Sequence, residues 1–159
     1  MIDTSQFVRV SFEQVRATFE EMQKARGEQI TSAWYQDAQV AKWYCGKVDP
    51  AELLTPYSEF RGLVSYSKRG LRNREALAEI LRSRSDEAKL MVTGGLTGAP
   101  SIIVWLRPDG VFQVDDGCRR SLSATHLGLR EIDAFIGIHA NPARLDYWKD
   151  KPLRFAANR

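Results

Sequence analysis

Pro100-Ser101-Ile102-Ile103-Val104-Trp105-Leu106-Arg107-Pro108-Asp109-Gly110-Val111-Phe112-Gln113-Val114-Asp115-Asp116-Gly117-Cys118-Arg119-Arg120-Ser121-Leu122-Ser123-Ala124 decides the fold of this chain. Ser101–Leu106 is a short apolar run rich in β-branched and aromatic residues, which predicts a buried strand. Pro108-Asp109-Gly110 is a turn signal, and it predicts a hairpin returning through Val111–Asp115. Helical spacing then runs from Cys118 to Leu127. Gly128 stands where a C-terminal cap is needed, and Glu131–Ile138 alternates as a closing strand. The order is strand, hairpin, helix, strand, which predicts an α/β (α+β) domain with a small mixed sheet.

Between the second strand and the helix stands Asp116-Gly117. Glycine tolerates φ > 0 and lets the backbone approach a ligand closely. The N–H groups of Cys118, Arg119 and Arg120, reinforced by the helix dipole, are placed for an anion, and consecutive guanidinium groups suit phosphate oxygens. The same spacing also occurs in turns that bind nothing and leave both arginines solvated. Asp115 and Asp116 are candidates to hold Mg²⁺ or accept a proton. Strict strand alternation turns one of them away, and Asp116, next to the turn, is the better placed.

Working outward, Phe12, Val15, Phe19 and Met22 step by three and four, and Ser11 with Gln14 forms a capping box. A helix is predicted from there to about Arg26, stopped by Gly27. A second is predicted over Thr31–Tyr44, with Ala33, Trp34, Ala38, Ala41 and Trp43 on its apolar surface and Gly46 ending it. Together they predict an N-terminal helical hairpin over residues 1–46. After the short segment Ala51–Leu54 comes an irregular basic loop through Gly70, then a third helix over Asn73–Arg82. Thr93-Gly94-Gly95-Leu96-Thr97-Gly98 lacks the lysine and spacing of a P-loop and reads as a flexible loop. Residues 139–159 read as a tail with room for one short helix around Pro142–Lys149.

The 159 residues are 43% hydrophobic and 27% charged, an ordinary globular composition, with a net charge of +3. Between Arg61 and Arg84 lie Arg61, Lys68, Arg69, Arg72, Arg74, Arg82 and Arg84 against Glu75 and Glu79, a local basic patch. Two cysteines, Cys45 and Cys118, suit free thiols in a reducing compartment. No signal peptide and no run of eighteen apolar residues is present, so a cytoplasmic protein without a membrane partner is expected. His126 and His139 have no companions at metal-ligand spacing, and no metal site is expected on them. Trp34, Trp43, Trp105 and Trp148 read as core or docking surface.

The quoted run, continued through Leu127-Gly128-Leu129-Arg130-Glu131-Ile132-Asp133-Ala134, resembles the ParB/sulfiredoxin superfamily. That family shows a proline before an apolar strand, a hairpin, a Gly-x-Arg/His-Arg phosphate motif opening a helix, and a Leu-Gly-Leu stop. Upstream, Val48-Asp49-Pro50-Ala51-Glu52-Leu53-Leu54 and Arg61 resemble its entry segment and following arginine. The resemblance implies a domain over residues 47–138 that binds ATP or CTP, with Mg²⁺, through Arg61, Gly117, Cys118, Arg119 and Arg120. It further implies a DNA-associated role with NTPase or nuclease (hydrolase) activity, for which the basic patch offers Lys68, Arg69, Arg72 and Arg74 as sequence-independent phosphate contacts, while the same patch also suits a solvated face or part of the nucleotide site; a homodimer is a further candidate assembly. About twenty residues follow Ile138, fewer than the helix-turn-helix domain of partition ParB proteins needs, so a full partition protein is not expected. Two alternatives stay open. Sulfiredoxins carry Gly-Cys-His-Arg here, so Cys118 falls on their reactive cysteine, at a helix start that favours the thiolate. Other members are small-molecule kinases that use an acidic residue near this turn, a role that falls to Asp116.

Overall fold

The computed structural model describes residues 2–25, 27, 32–55, 71–82, 86, 92 and 101–141. These form a mixed α/β structure with a seven-stranded sheet and four α-helices. The strands are β1 (Val8–Val10), β2 (Lys42–Val48), β3 (Leu54–Thr55), β4 (Leu71–Arg72), β5 (Ile102–Leu106), β6 (Phe112–Asp116) and β7 (Ile132–Ile138). The helices are α1 (Phe12–Ala25), α2 (Ser32–Ala38), α3 (Asn73–Arg82) and α4 (Cys118–His126), and a 3-10 turn spans Pro50–Glu52. The sheet order is β1-β2-β7-β5-β6-β3-β4. β5 runs parallel to β7 and β3 to β6, and the remaining neighbours are antiparallel.

β5 is central, and all five of its residues are buried, as expected of a strand covered on both faces. Ile103 and Trp105 face α1 and α2, in a cluster with Val15, Phe19, Met22, Ala38 and Trp43. Ile102, Val104 and Leu106 face the other way, with Val114, Cys118, Ala134 and Ile136. On that second side α3 packs on α4 through Ala76, Ile80 and Leu122. The capping box at α1 forms as expected: Ser11 N–H donates to Gln14 Oε1 at 3.1 Å, and Gln14 N–H to Ser11 Oγ at 3.3 Å.

The second helix is shorter than its sequence suggests. It ends at Ala38, and Trp43, Tyr44 and Gly46 lie in β2, which pairs with β7 over seven residues from Lys42↔Ile138 to Val48↔Ile132. The N-terminal segment is therefore not a helical hairpin alone, because it supplies β1 and most of β2 to the sheet. Gly46 is a close-packing position rather than a helix stop: a Cβ there would collide with the Phe7 ring. Gly137 of β7, paired with Trp43, gives room to Trp43 and Trp105, whose ring centroids are 5.0 Å apart. The Thr93–Gly98 loop, Trp148 and the short helix expected around Pro142–Lys149 lie outside the described residues.

Candidate phosphate site at the β6–α4 turn

The ladder between β5 and β6 shifts register at Ile103/Val104: Val104 pairs with Val114, but Ile103 pairs with Asp116. Asp115 is the extra residue of a β-bulge. Paired residues project to the same side, so Asp116 points with Ile103 toward α1 and α2. Asp115 points there too, because its Oδ2 accepts a 2.7 Å hydrogen bond from the Trp34 indole on α2. Alternation predicted that one carboxylate would turn away. The bulge instead puts both on one face, directly before the turn.

Burial pushes the Asp115 carboxyl up to about 7, and the charges of Asp116 and Asp37 act in the same direction. The hydrogen bonds from Trp34 and Trp105 oppose the rise without cancelling it. Asp116 is buried, at 5% exposure. Nearby, buried His139 lies 3.5 Å from Asp37 through Nε2, while its Nδ1 accepts from the Asn141 N–H at 2.9 Å. Nδ1 is thereby the acceptor nitrogen and Nε2 the one that carries a proton toward Asp37. Among the described residues no group of three or more His, Cys, Asp or Glu could hold a metal ion.

Gly117 follows with φ +109°, the left-handed conformation, and is the N-cap of α4 without any side-chain cap. Its carbonyl accepts the first helical hydrogen bond, from Ser121 N–H at 2.9 Å. A helix supplies no acceptors for its own first N–H groups, and its dipole makes that end positive. A Cβ on Gly117 would collide with Ile102 and would lie 3.1 Å from Arg120 Nη2. The Arg120 guanidinium therefore folds back beside the glycine, and its Nη2 reaches Met22 Sδ at 2.7 Å. Arg119 is exposed. The two arginines diverge, one lying along the turn and the other extending from it.

The other expected residues are distributed unevenly. Cys118 is only 8% exposed and sits among apolar side chains, so its thiol is not presented to a macromolecular substrate. Arg61, Lys68 and Arg69 lie outside the described residues, as does Arg84. Arg72 donates to the Glu52 carbonyl at 2.9 Å and approaches its carboxylate at 3.3 Å, and Arg74 pairs with the same carboxylate. Arg82 pairs with Glu79 at 3.2 Å. These three arginines each have a local carboxylate, so the described part of the basic patch is not a surface of unopposed charge. His126 is exposed at the end of α4.

A buried polar group behind the turn was not expected from sequence. Asn73 Nδ2 donates to Pro50 O at 2.9 Å and Ser121 Oγ at 2.8 Å, while Asn73 Oδ1 accepts from Thr55 Oγ1 at 2.6 Å. The signal was present: Asn73, Ala76 and Ile80 share the inward stripe of α3, and a polar residue on an apolar stripe calls for a partner.

Searches against protein-family models, curated proteins and solved structures find no match to this chain. No helix among the described residues is long and apolar enough to cross a membrane.

Proposed function

We propose that this chain is a nucleotide-binding protein of ParB/sulfiredoxin type that holds the phosphates of ATP or CTP at the β6–α4 turn. The observation that carries this reading is Gly117 in the left-handed conformation, opening a nine-residue helix with no side-chain cap and with Arg120 folded against it. Such a junction presents a positive helix end and a close backbone approach to an anion. Gly117 and the first turn of α4 would cradle the phosphates, Arg120 would contact them from the α1 side, and exposed Arg119 would close over them.

A bound triphosphate would supply an activated phosphoryl group, with Mg²⁺ neutralising its charge. Asp116 and Asp115, on one face just before the turn, are the carboxylates available to accept a proton or complete a cation's shell. The nucleotide reading is preferred to DNA binding because Glu52 already answers Arg72 and Arg74. It is preferred to thiol chemistry because Cys118 is enclosed.

Titration calorimetry with ATP and CTP, with and without Mg²⁺, tests the reading. Arg120→Ala and Arg119→Ala are each expected to weaken binding about tenfold or more, the scale of one hydrogen bond to a charged group. Since Arg119 is exposed, its variant leaves the fold unaltered. Binding by the wild type that neither variant changes would refute the site, and absence of binding would refute the function.

A further inference from the structure

The phosphate turn is held from behind by side chains that cannot touch a ligand there. Ser121, fully buried in the first turn of α4, donates its hydroxyl hydrogen to Cys118 O at 2.8 Å and accepts from Asn73 Nδ2 at 2.8 Å. The second Nδ2 hydrogen goes to Pro50 O at 2.9 Å, and Asn73 Oδ1 accepts from Thr55 Oγ1 at 2.6 Å. A carbonyl oxygen can only accept, so the Pro50 contact fixes which end of the Asn73 amide is nitrogen. The Asn73 N–H also donates to Leu53 O at 2.9 Å. One fully buried asparagine thus ties together the segment after β2, the start of α3 and the start of α4.

We infer that Asn73, acting through Ser121, is the positioning residue of the phosphate turn, fixing the first turn of α4 at the angle at which its N–H groups address phosphate. This inference rests on the nucleotide-binding reading. Three features support it. Every donor in the chain of contacts reaches a matching acceptor, and a fully satisfied buried network rigidifies what it joins. It acts on Cys118 O, one residue from the glycine that takes the left-handed turn. It also joins the start of α4 to two places on the connection out of β2, Pro50 just after that strand and Thr55 in β3, which pairs in parallel with β6 at Leu54↔Gln113. A binding site needs its groups held to within about 10–20° of the productive direction, and no apolar contact fixes rotation of α4 about its own axis as a directed hydrogen bond does.

Ser121→Ala removes the link to α4 while leaving Asn73 its bonds to Pro50 and Thr55, and Asn73→Ala removes the hub. Ile80→Val, in the adjoining apolar cluster, is the control for loss of stability without loss of the network. ATP titrations of the folded variants are expected to show about fivefold to tenfold weaker binding for Ser121→Ala and Asn73→Ala, the scale of one buried hydrogen bond. Ile80→Val should bind as the wild type does, although it too is less stable. Hydrogen exchange of the wild type with and without ATP gives a second readout that needs no variant: protection at residues 118–120 should extend to the Asn73 amide. Wild-type binding with unchanged affinity in Ser121→Ala, or with no change in exchange at Asn73, overturns the positioning role alone. A wild type that binds no ATP overturns it together with the nucleotide-binding reading.

Discussion

Replacing Asp115 by Asn should make the protein more stable at neutral and alkaline pH, and the size of the effect follows from the bulge that buries this carboxyl. In the folded chain it is raised from 3.8 to about 7, chiefly by burial. The folded state therefore holds a proton that the unfolded state releases between about pH 4 and pH 7. The stability owed to this group is fully present below the unfolded value and is lost as pH rises through about 7. At about 1.4 kcal/mol per pKa unit the full interval is worth about 4 kcal/mol. The side chain is half-buried, and the remaining water contact brings the expectation to about 2 kcal/mol. Asparagine keeps an oxygen for the Trp34 indole and never ionises. Urea unfolding followed by tryptophan fluorescence at pH 5 and pH 8, on wild type and Asp115→Asn, measures the effect. The two proteins differ only at Asp115, so the difference between their profiles isolates that group to first order. Because about a third of the interval already lies below pH 5, the advantage of the variant should grow by about 1 kcal/mol between the two pH values. Parallel pH profiles would show that Asp115 ionises without cost and that the burial argument is wrong.

Gly117→Ala should lower stability by about 2–4 kcal/mol, since it combines a left-handed backbone with a collision against Ile102; a urea midpoint within error of wild type would refute the backbone geometry. Gly137→Ala places a methyl 2.7 Å from Trp105 Cζ3 and 2.8 Å from Trp43 Cη2. It should cost about 1–3 kcal/mol and shift the tryptophan emission, because both rings must move. Reversing Arg72 and Arg74 to Glu sets three carboxylates together and should lower stability by about 1 kcal/mol. Adding Glu52→Lys should recover most of that loss, and an additive triple variant would contradict the pairing.

The C-terminal half was legible because each boundary there has its own chemical signal. The run Ile102–Leu106 is apolar at every position, Pro108-Asp109-Gly110 turns the chain, and Gly128 adopts φ +74° after α4. β2 was not legible because Ala38, Ala41 and Trp43 suit a helical period as well as an alternation, and seven pairings with a distant strand override local preference. Gly46 misled for the same reason: its use is set by Phe7, thirty-nine positions earlier. At the site, Gly117 and its place before a helix were readable from type and order. The orientation of Asp115 was not, since a bulge is a property of two strands and no single-strand period encodes it. The Asn73 hub was half legible, as a polar residue on an inward stripe whose partners lie on other elements.

The strands at the two ends of the sheet, β1 and β4, are three and two residues long, and each contains an arginine, Arg9 and Arg72. A sheet edge recruits strands from other molecules when it is long, flat and apolar. Among the described residues, the ends of the sheet are short and each carries a charge, features that disfavour templating another chain. The consequence concerns crowded solution: these described ends give a second chain little to pair with, and β5, a run of five apolar residues of the aggregation-prone kind, is kept buried between them.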